Sequence, residues 1–151
     1  MIDTFRPLID AARGVDLSKP AAARDALRAR LDPASAEARA LNQKLRALLD
    51  EGRIADRGAM PVKFGRVTKA TPESDDFSID VVHMDGAGPH HVHPNGEVNW
   101  CVALDGEPRF DGEAPGWVVM PPGSGHVPTV AGGRMLIVYL LPQGRIEFSK
   151  T

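Results

Sequence analysis

A single cysteine, Cys101, stands in this 151-residue chain. One thiol excludes an internal disulfide framework and any multi-cysteine zinc site. Basic excess is missing too. Eighteen Lys and Arg against 20 Asp and Glu leave a net charge of −2, so the bulk positive surface that nucleic acid attracts is absent. No apolar run approaches the roughly 18 residues that span a bilayer. The opening Met1-Ile2-Asp3-Thr4-Phe5-Arg6-Pro7 has neither a basic start nor an apolar stretch behind it, so no secretory signal is expected. Neither a G-x-G-x-x-G run nor a P-loop occurs, and no nucleotide cofactor is expected. The expectation is a cytoplasmic protein that meets no membrane and no nucleic acid. Its 42% hydrophobic and 25% charged residues are ordinary for one globular domain.

Composition divides the chain at residue 57. Residues 1–57 carry 13 alanines, two glycines and no histidine, whereas 58–151 carry ten of the 13 prolines and all five histidines. Alanine, leucine and arginine favour helix, while glycine and proline punctuate strands and turns. A helical N-terminal segment, 1–57, and a β domain, 58–151, are therefore expected. The first helix spans roughly Thr4–Ala12. The second begins near Ser18, with Pro20 in its first turn, and runs to about Leu31. The third takes Asp32 as N-cap and Pro33 at N1, carries Ala38, Leu41, Leu45, Leu48 and Leu49 as a stripe, and stops at Gly52. So short a stripe must pack on something, either the β domain or a second copy of the chain.

The second part predicts strands at Val62–Ala70, Phe77–Met84, Glu97–Leu104, Gly116–Met120 and Arg134–Leu141. Asp85-Gly86, Asn95-Gly96, Asp105-Gly106, Asp111-Gly112 and Gly132-Gly133 mark turns between them. About eight strands without a helical interruption predict a small antiparallel jelly-roll.

The chemistry concentrates in Gly88-Pro89-His90-His91-Val92-His93-Pro94-Asn95-Gly96-Glu97. His91 and His93 stand two apart, so on a strand both imidazoles face one way. Glu97 has the same parity beyond the Asn95-Gly96 turn, and His126 follows in Pro121-Pro122-Gly123-Ser124-Gly125-His126. Three imidazoles and a carboxylate suit a divalent first-row metal, with Fe, Mn and Zn the leading candidates. Four protein ligands on an octahedral ion leave two positions for water or substrate.

These residues resemble the two motifs of the cupin superfamily: His91-x-His93-x-x-x-Glu97, then Gly116-x4-Pro121-x-Gly123-x-x-His126. The resemblance implies a double-stranded β-helix barrel with His91, His93, Glu97 and His126 on the metal. Val130 stands where the second motif usually has asparagine, and Gly116 is one residue closer to Pro121 than usual. A wider resemblance takes in Phe64-Gly65-Arg66-Val67, Arg109-Phe110-Asp111-Gly112, Gly116-Trp117-Val118-Val119 and Tyr139-Leu140-Leu141-Pro142. With these the chain resembles the 4-hydroxylaminobenzoate lyase family. That likeness implies conversion of 4-hydroxylaminobenzoate and water into protocatechuate and ammonia in nitroaromatic degradation.

A small aromatic carboxylate needs an anchor, and the arginine fork supplies one. Arg66 and Arg109 on β segments are the first candidates, followed by Lys63. Glu97, His90 and Tyr139 are the candidate catalytic groups, with His83 and Glu107 behind them. His90 adjoins the ligand pair, although its parity puts it on the opposite face. Trp100, Trp117 and Phe110 are candidates to stack on a substrate ring, with core packing the commoner duty of such residues. Cys101, inside an apolar strand, is expected to be a buried inert thiol. An Fe(II) oxygenase acting on a small aromatic acid would use the same ligands, and so would an isomerase or a non-catalytic binding cupin. A homodimer paired through an edge strand or the N-terminal segment is the default expectation.

Overall fold

Alanine and leucine spacing produces three helices, and the computed structural model, which describes residues 1–149, shows why each stops where it does. A 3-10 turn at Ile2–Phe5 leads into α1 (Arg6–Ala12). Helix α2 (Pro20–Arg30) starts on its proline, and α3 spans Ala36–Asp50. The expected cap of α3 is corrected from Asp32 to Ser35. Asp32 accepts the Ala34 N–H in a turn of its own, whereas Ser35 is extended and its Oγ accepts the Ala38 N–H at 3.1 Å. Only an extended residue just before the helix can aim its side chain back at the free N–H groups.

Eleven strands follow among the described residues: β1 (Arg57–Ala59), β2 (Val62–Thr68), β3 (Phe77–Met84), β4 (His91–His93), β5 (Glu97–Ala103) and β6 (Arg109–Phe110). Then come β7 (Gly116–Met120), β8 (Ser124–His126), β9 (Val130–Ala131), β10 (Met135–Pro142) and β11 (Glu147–Phe148). The five expected strands all appear, with ends shifted by two residues at most. The additional strands are two or three residues long, too short for alternation to reveal.

An antiparallel sheet ordered β1-β2-β3-β10-β5-β7 forms one wall. Opposite lie the ladders β11-β4-β8 and β6-β9. Strands β3, β10, β5 and β7 of the large sheet are buried on both faces, and residue parity assigns each face its cover. Ile79, Val81, Trp100, Trp117, Leu136 and Val138 join Phe5, Leu8, Leu27, Leu41 and Leu45 of the helical segment in one core. The inward residues Val82, Met84, Cys101, Val118, Ile137 and Tyr139 meet Phe110 and Val130 from the far wall in a second. The chain is thus a mainly β jelly-roll barrel with the helices laid across its outside.

Candidate metal centre

Alternation along β4 sends His91 and His93 into the barrel while Val92 between them points away. The chain then reverses so that β5 begins with Glu97. Gly96 makes that reversal possible: it holds φ +85, and a Cβ there would meet the Met120 carbonyl oxygen at 2.9 Å. Strand β8 runs antiparallel to β4 and sets His126 opposite His91. The four side chains each offer a ligand atom, and all these atoms lie within 4.8 Å of one another.

The Nε2 atoms of His91 and His126 are 3.1 Å apart. Glu97 Oε2 lies 2.9 Å from His93 Nε2 and 3.7 Å from His91 Nε2. Even so, His93 Nε2 and both carboxylate oxygens lack an aligned hydrogen bond although they are buried. Lone pairs that crowd together without facing one another are arranged around a common centre. Ligands about 2.1 Å from a single ion sit about 3–4 Å apart, so these residues fit a metal ion. Burial opposes the charge of Glu97, but contacts with His91 and His93 outweigh it and hold the carboxyl at about 2. The carboxylate is therefore a standing anion among the imidazoles.

The other nitrogen of each ring is also engaged. His91 Nδ1 lies 3.3 Å from the Pro89 carbonyl oxygen. His93 Nδ1 lies 3.2 Å from Ser124 Oγ, whose own proton goes to the Pro121 carbonyl oxygen at 2.6 Å. His126 Nδ1 meets Asp111 Oδ2. All three partners can accept from Nδ1–H, an arrangement that frees each Nε2 to turn its lone pair to a metal ion at the centre. Asp111, Ser124 and Pro89 were not singled out in the sequence for this duty. Asp111 looked like the start of an Asp-Gly turn, and nothing in one chain marks such a residue as facing a histidine fifteen positions away.

Beside the cluster opens a cavity of about 560 Å³ that reaches His91. Val62, Phe64, Val82, Met84 and Phe148 give it apolar walls, and Asp80 and Tyr139 are polar groups on its surface. Burial raises the Tyr139 hydroxyl well above the usual phenol value, so it stays protonated. Phe110 stands edge-on to His126, with ring centroids 5.9 Å apart.

Other candidates lie elsewhere. His90 is exposed and bonds Ser149 Oγ, which corrects its catalytic assignment: strand alternation turns it outward. Trp100 is corrected as a ring contact, because it faces the helices and donates Nε1–H to Asn42 Oδ1 at 2.9 Å. Trp117 does the same with the Leu31 carbonyl. Arg109 is exposed and bonds the Gly112 carbonyl in its own turn, so it is no anchor, and Glu107 is likewise exposed. Lys63 and His83 are cross-strand partners on the face away from the cavity. Arg66 shares the inward parity and is paired with Asp80 at 3.0 Å. Cys101 is buried, and burial pushes its thiol up.

Among solved structures, an RmlC-like cupin protein from Ralstonia eutropha JMP134 aligns with a TM-score of 0.43 at 14% identity, covering 61% of this chain and 62% of that one. A protein named 4-hydroxylaminobenzoate lyase from Nocardioides sp. (strain LMS-CY) is 35% identical over 94 residues, 57% of this chain and 56% of the relative. Another of that name from Pseudomonas putida is 32% identical over 99 residues, 55% and 56% respectively. The chain thus spans little more than half the length of the curated relatives it matches. The family model described as PnbB, 4-hydroxylaminobenzoate lyase, matches residues 9–148. That match runs from the first helix to the last strand, and the chain belongs to the 4-hydroxylaminobenzoate lyase family.

Proposed function

We propose that this chain is a lyase that converts 4-hydroxylaminobenzoate and water into protocatechuate and ammonia, with one divalent first-row transition metal held by His91, His93, Glu97 and His126. The supporting observation is the convergence of three imidazoles and a buried carboxylate beside an apolar cavity able to take a benzoate ring. The family and its named relatives supply the substrate. Atoms and electrons balance without an external oxidant, since cleavage of the substrate N–O bond takes up the electrons that ring hydroxylation releases.

When bound, the metal supplies Lewis acidity to an oxygen of the substrate or of water. The protein does the rest. Phe64, Val82 and Met84 hold the ring and keep bulk water off it. Tyr139, protonated by virtue of its burial, donates a hydrogen bond into the cavity. Arg66 anchors the substrate carboxylate at the rim, in competition with Asp80. Glu97, an anion held among the imidazoles, balances charge at the centre. A cytoplasmic homodimer, with residues 1–57 as its helical segment and 58–151 as its barrel, completes the proposal. Phe64 and Phe148, 50% and 58% exposed, give it an apolar rim to cover.

Metal-analysed protein incubated with 4-hydroxylaminobenzoate under argon should release protocatechuate and ammonia in equal amounts. Chelation or His93→Ala should abolish both products while the protein stays folded. Absence of products with metal bound would remove this substrate. Activity that appears only with oxygen would replace the lyase with an oxygenase.

A further inference from the structure

Two residues beyond Glu97 on β5, Asn99 shares the inward face of the barrel. It is fully buried, and neither Oδ1 nor Nδ2 has a hydrogen-bond partner among the described residues. Buried amides left unpaired are rare because their loss of water is uncompensated. Packing offers no reason for the amide, since a leucine has the same branched outline and its inward neighbours Cys101 and Val118 are apolar. A polar side chain retained at such a cost points to a partner that arrives later.

We propose that Asn99 hydrogen-bonds the hydroxylamino end of the substrate and thereby sets which end of the molecule meets the metal cluster; this rests on the lyase reading above. The primary amide offers an acceptor and two donors. An –NH–OH group both donates and accepts, so it satisfies both halves of Asn99. A carboxylate only accepts and would leave Oδ1 unpaired, and a ring C–H does neither. The nitrogen end therefore belongs beside Asn99 and Glu97, with the carboxylate at the other end of the cavity. The sheet register agrees. Asn99, Tyr139, Asp80 and Arg66 are successive cross-strand partners on β5, β10, β3 and β2. At about 4.8 Å per strand, Arg66 lies about 14 Å along that row, a span that a ring laid over Tyr139 and Asp80 could bridge from one side chain to the other. Tyr139 lines the cavity next to Asn99, and its hydroxyl is held only by Met84 Sδ at 3.8 Å. Asn99 lies behind Tyr139 and outside the cavity lining, so the contact requires that ring to turn aside when the substrate binds.

The test compares wild type with Asn99→Leu, and with Asn99→Ala should the leucine variant fold poorly. Three quantities are read: melting temperature, metal affinity by chelator competition, and steady-state kinetics on 4-hydroxylaminobenzoate. Two unreactive probes, 4-hydroxybenzoate and benzoate, are titrated alongside. Asn99→Leu should stay folded and bind metal within about threefold of wild type. Its kcat/KM should fall about 100-fold, the scale on which lost polar pairing discriminates substrates. Wild type should prefer 4-hydroxybenzoate to benzoate by about tenfold, and the variant should bind both alike. Turnover by Asn99→Leu within threefold of wild type overturns the assignment and leaves the lyase reading intact. If wild type turns over nothing, the lyase reading falls; loss of the probe preference in the variant still supports the contact.

Discussion

Asp111 holds a left-handed backbone, φ +49, a conformation that costs most residues energy but suits Asp and Asn. That twist lets one carboxylate meet His126 Nδ1 with Oδ2 and the Thr129 N–H with Oδ1, the latter at 2.9 Å. Asp111 thus fixes the orientation of the least buried imidazole of the cluster and the loop beside it. Asp111→Asn keeps the backbone preference and removes the charge, so the fold should persist. Metal affinity should drop about 10- to 100-fold, which chelator competition would measure. His83 gives a pH prediction on the opposite face. Burial, then the charges of Arg134 and Lys63, push its imidazole below the usual 6.5, and Arg134 Nη1 sits 3.1 Å from His83 Nε2. As pH falls through 6.5 the unfolded chain takes up a proton that the folded chain refuses. Stability therefore declines below 6.5 until the folded value is passed. His83→Gln should flatten that decline in urea midpoints measured between pH 7.5 and 5. At this scale the four clustered side chains were legible because motif spacing and strand parity act locally. Asp111 and Asn99 were not, since their importance arises from partners distant in sequence or still to bind.

Elements were legible where periodicity had length to work with. The leucine stripe of α3 announced its buried face, and Ala38, Leu41 and Leu45 are the residues buried there. Its first turn was misread because Asp32-Pro33 and Ser35 are both good helix starters, and only the backbone angles decide between them. Ser35 also donates its hydroxyl to the Asp32 carbonyl at 2.7 Å, which locks the cap. Ser35→Ala should cost about 1 kcal/mol, read as a lower urea midpoint with kcat unchanged. Strand β7 shows the limits of alternation. Gly116-Trp117-Val118-Val119 is nearly all buried because the sheet is covered on both sides, so the pattern cannot say which residue faces the barrel. Trp100, a candidate ring contact with core packing as its commoner duty, takes the core role: its parity is opposite to that of Glu97 on the same strand. Both tryptophans instead tie the sheet to the helices through their Nε1–H groups.

At the scale of the molecule, composition separated a helical part from a β part, yet the two share a core. Leu8, Leu27 and Leu45 are fully buried in the cluster that also holds Ile79, Trp100 and Leu136. Neither part exposes its apolar face while the other is present, so they should unfold together. Helix ellipticity and tryptophan fluorescence should report one melting temperature, and separate transitions would show that the helices detach first. Metal acts on the same equilibrium, because the four ligands come together only in the barrel. At a free concentration 100 times Kd an ion that binds only the folded state adds about 2.7 kcal/mol, so restoring metal to chelated protein should raise both transitions by several degrees in step. The β3–β10 ladder sets the timing of all this. Its eight residue pairs run from Met135 with Met84 to Pro142 with Phe77, and β10 also carries β5. During synthesis the helices leave the ribosome first, but the sheet they cover cannot close until residues 135–142 follow. Until then the leucines of α3 lack the sheet that buries them, and an apolar stripe stays uncovered on the growing chain for as long as β10 is missing.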